Sequence, residues 1–266
     1  MSYEFIQITR EGPITIITLN RPEVMNALHA AGQFEVDRAV DEFAADPDQW
    51  VAIITGAGDR AFCAGGDLKA LATEKVDPGR PVGRRPKRGF AGMAARFDLA
   101  KPVIAAVNGL AFGGGFEMAL GCDLILASEA ASFCLPEPRR GLVALSGGVL
   151  RLTRDIGAKR ALGVILTARK VTAGEGLELG FVTAVVPSGE LMPTALDWAR
   201  QICELSPMAV RAAKEVAYRG LTEPSLEVAL KAQLQYPAVK ALIASEDFKE
   251  GPRAFAEKRP PLWKGR

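Results

Sequence analysis

The stretch Val103-Ile104-Ala105-Ala106-Val107-Asn108-Gly109-Leu110-Ala111-Phe112-Gly113-Gly114-Gly115-Phe116-Glu117-Met118-Ala119-Leu120 starts as a short apolar run, crosses a cluster of glycines and ends in helix-forming residues. The run reads as a strand, and a helix is expected to open at Gly114 or Gly115. The pattern recurs upstream. Trp50 to Thr55 is strand-like and is followed by Phe62-Cys63-Ala64-Gly65-Gly66-Asp67-Leu68, a second glycine turn. Downstream, Leu124 to Ala127 gives another short strand before irregular chain around Glu137. At the start of the chain, Phe5 to Thr9 and Ile14 to Leu19 flank Gly12-Pro13 as a hairpin. Ala30 to Ala45 then carries Phe34, Val36, Ala39, Val40, Phe43 and Ala44 at helical spacing. Strands and helices therefore alternate through the first two thirds, which predicts an α/β fold.

The last third differs. Leu191, Ala195, Ala199 and Ile202 form one helical stripe, and Pro207 to Arg219 and Pro224 to Ser245 also read as helices. A core over residues 1–200 and a helical region over 201–266 are expected, with the stripe needing a covering surface that a second subunit would supply. Thr73 to Gly89 is rich in Pro, Gly, Arg and Lys, without apolar periodicity, and reads as a surface loop.

Composition excludes several classes. With 266 residues, 48% of them apolar, the chain can bury a large core unaided. Its 33 basic and 31 acidic residues give a net charge of +2, too balanced for a nucleic-acid partner. Four cysteines without CxxC spacing read as reduced thiols, no run of about 18 apolar residues crosses a membrane, and the N-terminus carries no leader, so a cytoplasmic location is expected. No cluster of His, Cys and carboxylates has metal-ligand spacing.

Each glycine turn leaves backbone amides unpaired. Where such a turn opens a helix, those amides and the helix dipole converge on a point that can hold an anion or a developing oxyanion. The alternative is that the glycines only permit tight turns and close packing. Neither GxGxxG nor a Walker A sequence is present, so a phosphate cradle is the weaker use. Glu117, among Phe116, Met118, Ala119 and Leu120, either faces solvent or has a specific task. Glu137, between Pro136 and Pro138, is held extended by the following proline. If both face one pocket, they can share a water in acid–base chemistry. His29 reads as a surface or cap residue, Ser146 before Gly147-Gly148 as a helix cap, and Arg80, Arg84, Arg85, Lys87 and Arg88 as a solvated face that an anionic tail could use.

Taken together, Asn20-Arg21-Pro22 with Asn26-Ala27-Leu28, Ala61 to Lys69, and Lys101 to Gly109 resemble the landmarks of the crotonase, or enoyl-CoA hydratase/isomerase, superfamily over nearly the whole chain. Phe112 to Glu117, Ser146 to Leu152 and Ser245 to Arg266 look like its carnitinyl-CoA dehydratase branch. The resemblance implies a spiral of ββα turns with a helical C-terminal region that builds trimers or hexamers. It implies a hydratase, or alternatively an isomerase or a carnitinyl-CoA dehydratase-type hydro-lyase. The substrate would be an acyl-CoA thioester, with no cofactor beyond the coenzyme A it carries. The oxyanion amides fall on Gly66 and Gly114 and the two hydratase glutamates on Glu117 and Glu137, while coenzyme A passes near Val24, Met25, Ala27, Ala64, Asp67 and Leu68. One departure concerns the acyl pocket: Leu145 stands where glycine is usual, which narrows the site or moves the water.

Overall fold

The computed structural model describes residues 2–67 and 85–266. Six strands form one sheet in the order β1 (Ile6–Glu11), β2 (Ile14–Leu19), β3 (Val51–Gly56), β5 (Val103–Val107), β7 (Leu124–Ser128) and β10 (Ala184–Val186). The second sheet runs β4 (Ala61–Cys63), β6 (Leu110–Phe112), β8 (Ser132–Cys134) and β9 (Val171–Thr172). Among the described residues only the β1–β2 hairpin and the β8–β9 pair are antiparallel. Consecutive strands thus alternate between sheets, β3 to β4, β5 to β6 and β7 to β8, so that each circuit of the chain adds one strand to each. This is the spiral expected from the sequence.

Burial explains the composition of the strands. All six residues of β3 and all five of β5 are buried, because layers lie on both of their faces. Between the sheets, Ile17, Leu19, Ile54, Phe62, Val107, Phe116 and Phe133 share the main core with α1 (Ala30–Ala45), which contributes Val36, Val40 and Phe43. Three phenyl rings, Phe116, Phe133 and Phe181, lie with centroids 5.1 to 5.2 Å apart. The helix after the second glycine turn, α2 (Gly114–Leu120), is buried at every residue. It is followed by α3 (Gly148–Ile156), α4 (Ala158–Ile165) and α5 (Ala173–Leu179).

Two sequence expectations are corrected at the C-terminal end. The stripe on α6 (Leu191–Cys203) needs no second subunit, because Leu191, Ala195 and Ala199 pack on Ile14, Val51, Ile53, Ile104 and Leu126 on the outer face of the first sheet. The helix expected from Pro224 to Ser245 is broken into α8 (Leu226–Ala232), a 3-10 turn and α9 (Pro237–Ala244), which follow α7 (Pro207–Gly220) and precede α10 (Glu246–Ala256). Pro237 has no N–H to donate and holds Tyr236 extended, at φ −66° and ψ 139°, so a new helix starts there.

Candidate active site

Three parallel strands of the second sheet end at one place. β4 runs into Gly65-Gly66, β6 into Gly113-Gly114, and β8 into Pro136-Glu137. They line a cavity of about 610 Å³ that also admits Glu117 and Ser146. Adjacent strands lie about 4.8 Å apart, so groups at their matching ends fall within reach of one small molecule.

The first turn is held by α1's entry. Leu28 N–H donates to Gly65 O at 2.9 Å and Asp67 N–H donates to Leu28 O at 3.2 Å, a parallel bridge between Leu28 and Gly66. In that pattern the amide of Gly66 itself points away from Leu28. Gly65 has φ +94°, and a Cβ there would lie 2.8 Å from Phe112 O and 3.2 Å from Gly114 N. The two turns are therefore neighbours through backbone alone. At the second turn, Gly113 N–H donates to Cys134 O at 2.9 Å, and a side chain on Gly115 would collide with the Cys63 carbonyl. The Gly114 amide opens α2 beside the cavity.

Glu117 lies on the first turn of α2 and is 4% exposed. Its Oε1 accepts from Gly148 N–H at 2.9 Å. Burial pushes its carboxyl up to about 7; the Gly148 and Ser146 amides and Arg85 oppose this, and the charge of Glu137 adds to it. Glu137 heads a 3-10 turn, Glu137–Arg140, and is half-buried; burial also raises its pKa, against its own amide and Arg140. Its Oε1 lies over Gly113, where a Cβ would come within 2.8 Å, and its Oε2 is buried with no hydrogen-bond partner among the described residues. A buried carboxylate oxygen left unsatisfied in a cavity is costly unless a ligand or water completes it.

The sequence candidates separate on this geometry. Gly66, Gly114, Glu117, Glu137, Ala64, Asp67 and Leu145 all line the cavity. Val24, Met25 and Ala27 stand outside its wall, on a turn tied to it: Ala64 N–H donates to Met25 O at 3.0 Å, and Arg21 bonds both Ala27 O at 2.6 Å and Asp67 at 3.2 Å. Met25 and Asn26 adopt left-handed backbone, at φ 56° and 54°. Asn26 is suited to this, and its buried amide donates to Ala61 O at 2.7 Å, which locks the turn to β4. Leu68, Arg80 and Arg84 lie outside the described residues. Leu145 lines the cavity and is 69% exposed.

Other expectations change. Ser146 does not cap α3, whose N-cap is Gly147. It is buried instead, its hydroxyl accepting from Arg85 Nη1 at 3.1 Å. His29 occupies the N-cap position of α1 without a side-chain cap bond and lines the cavity, its ring edge-on to Phe5. The basic run divides: Arg85 lines the cavity, whereas Arg88 is bound to Asp98 at 2.8 Å and to Asp41 at 3.3 Å and has a structural role. Sequence reasoning missed Gly148 as the partner of Glu117, as well as the cavity residues Arg139, Arg140 and Lys170. Only the adjacency of Arg139 and Arg140 to Glu137 offered a signal.

Among the described residues no group of three or more His, Cys, Asp and Glu is placed to hold a metal, and no helix is long and apolar enough to cross a membrane. A sequence profile of the enoyl-CoA hydratase/isomerase family matches residues 9–266. A carnitinyl-CoA dehydratase of Salmonella paratyphi A is 46% identical over 99% of both chains. An enoyl-CoA hydratase of Bacillus anthracis superposes with a TM-score of 0.89 at 36% identity, covering 99% of this chain and 100% of that one. An enoyl-CoA hydratase of Mycobacterium tuberculosis gives 0.88 at 36%, over 98% and 99%. With the spiral fold, the paired glycine turns and the matched length in agreement, the chain belongs to the enoyl-CoA hydratase/isomerase family.

Proposed function

We propose that the protein is an enoyl-CoA hydro-lyase that adds water to a 2-enoyl-CoA thioester and removes it again. The observation that carries this reading is the pair of carboxylates on one cavity wall, Glu117 buried and Glu137 with an unsatisfied buried oxygen, beside two backbone turns. The Gly66 and Gly114 amides would receive the thioester oxygen as it gains charge on the way to an enolate. In other enzymes one such donor contributes on the order of 3 kcal/mol. In hydration, Glu117 takes a proton from water as its oxygen attacks the β-carbon, and Glu137 delivers a proton to the α-carbon. Dehydration reverses both transfers.

Both directions require the pair to hold one proton between the two groups. Burial raises both carboxyls, Glu117 to about 7, so the pair can retain one proton near neutral pH; dehydration starts with that proton on Glu117, which protonates the departing hydroxyl while Glu137 takes the α-proton. The relative named carnitinyl-CoA dehydratase supports this direction as a working one. The chemistry runs through two carboxylates and two amides and calls for no cofactor beyond the coenzyme A of the substrate.

Assembly into the trimer or hexamer expected from the family would cover Leu221, Leu226, Leu230, Leu234, Phe248 and Phe255, which the C-terminal helices of residues 201–266 and the turns joining them expose in the single chain. A cytoplasmic setting would suit coenzyme A thioesters. The test of the catalytic reading is Glu117→Gln and Glu137→Gln, each assayed by loss of the conjugated thioester absorbance. Each is expected to cost about 100-fold or more in turnover. Near-normal turnover in either would leave a one-carboxylate reaction, such as double-bond isomerisation, in its place.

A further inference from the structure

Three arginines from one short segment behave differently. Arg96, its side chain 2% exposed, binds Asp37 at 3.0 Å, Asp41 at 2.6 Å and the Gly92 carbonyl. Arg88 binds Asp98 and Asp41. Arg85, half-buried in the cavity wall, donates one hydrogen bond to the Ser146 hydroxyl and forms no ion pair among the described residues. A guanidinium offers five N–H donors in a planar fork matched to a carboxylate, and holding one partly out of water without a counter-charge is unfavourable.

Among the described residues of the wall no carboxylate forms an ion pair with Arg85, although its charge is felt at Glu117. Asp67 is paired with Arg21 at 3.2 Å, Glu117 is held by Gly148, and Glu137 is assigned to proton transfer. Arg139, Arg140 and Lys170 add positive charge to the same cavity. A cationic acyl group would look for a carboxylate or an open aromatic face. Phe112 already carries Lys170 Nζ at 5.6 Å from its ring centre, and Phe90 is 6% exposed, packed where a Cβ on Gly114 would meet its ring at 2.5 Å.

We propose that the acyl group this cavity selects ends in a carboxylate received by Arg85, and that the quaternary ammonium of a carnitinyl group is disfavoured. The proposal rests on the hydro-lyase reading above and departs from the substrate named for the 46% identical relative.

The experiment compares kcat/KM of the full chain on three 2-enoyl-CoA esters of matched length, ending in methyl, carboxylate or trimethylammonium. A hydrogen-bonded charge pair predicts that the carboxylate ester exceeds the methyl ester by about 10- to 100-fold and that the trimethylammonium ester falls below both. In Arg85→Met the carboxylate-to-methyl ratio should fall to about 1 or 2, and in Arg85→Lys it should keep part of its value. The ratio separates recognition from any general effect on Glu117 through Ser146, which would lower all three esters equally. Repeating the carboxylate and methyl pair as pantetheine thioesters separates the acyl carboxylate from the phosphates of coenzyme A. The preference should survive truncation. Equal losses on all three esters in Arg85→Met, loss of the preference on truncation, or a trimethylammonium ester turned over as well as the carboxylate ester would each overturn the proposal while leaving the hydratase reading intact. Turnover of none of the three would remove that reading, and this one with it.

Discussion

Replacing Gly66 by alanine and by proline separates the two ways in which that glycine can matter. A Cβ built on Gly66 meets nothing within 4 Å, so alanine fits and leaves the N–H in place. Proline removes the N–H. The flanking bonds, Leu28 N–H to Gly65 O and Asp67 N–H to Leu28 O, do not use the Gly66 amide, so the bridge to α1 can persist in both variants. Losing one oxyanion donor costs roughly 3 kcal/mol, or about 100- to 1000-fold in turnover, and alanine should stay within about threefold of the parent. The assay is steady-state hydration followed by thioester absorbance, with thermal unfolding and coenzyme A affinity as controls for folding. Proline retaining turnover within threefold would place the donor elsewhere. Alanine losing as much as proline would show that the position acts through shape rather than through its N–H.

The carboxylate pair predicts a kcat/KM profile that falls on the alkaline side as pH passes about 7 and the shared proton is lost, and on the acid side when both groups are protonated; a flat profile from pH 5 to 9 would reject the pair. Glu117→Gln should stabilise the fold in a pH-dependent way. Because the folded carboxyl titrates near 7 rather than near 4.5, wild-type stability is complete below 4.5 and declines as pH rises through 7. The variant's advantage in urea unfolding should therefore grow from nil at low pH to at most about 3 kcal/mol above pH 7. Sedimentation at micromolar concentration should show an oligomer, and Leu230→Lys with Leu234→Lys should shift it toward monomer; a stable wild-type monomer would contradict assembly through these helices.

Much of the fold could be read from local pattern. The hairpin, α1 and the apolar strands β3, β5 and β7 all sit within a residue or two of their expected bounds, because burial on one or both faces writes itself into the sequence. Three-residue strands such as β4, β6 and β8 carry no period to detect, although they are the ones that deliver the site. The two glycine turns, Glu117 in apolar company and Glu137 between two prolines stood out as residues, whereas the choice of the Gly66 and Gly114 amides came with the family resemblance. Gly148 as the partner of Glu117 and Lys170 as a lining residue did not, and Arg85 could be read only as one of a basic run, since each owes its place to a crossover between distant segments. The stripe on α6 gave a correct helix and the wrong partner: a periodicity reports that a face is covered, and the packing of Leu191 and Ala195 on Ile53 and Ile104 decides by what.

The alternation of strands between two sheets divides the chain into parts that tolerate change differently. Gly66 and Glu137 follow the ends of strands whose neighbours fix them in register, and Gly114 and Glu117 lie on the helix that opens directly behind β6, so a slip of one residue would carry a strand end about 3.3 Å along the sheet and turn its side chains to the opposite face. Exposed excursions outside that ladder, such as residues 138–143 beyond Glu137, have no register to keep, and lengthening one costs only slowly growing closure entropy. New acyl specificities can therefore be sampled by lengthening, shortening or recharging those excursions, while the proton-transfer pair and its two amides stay where the ladder holds them.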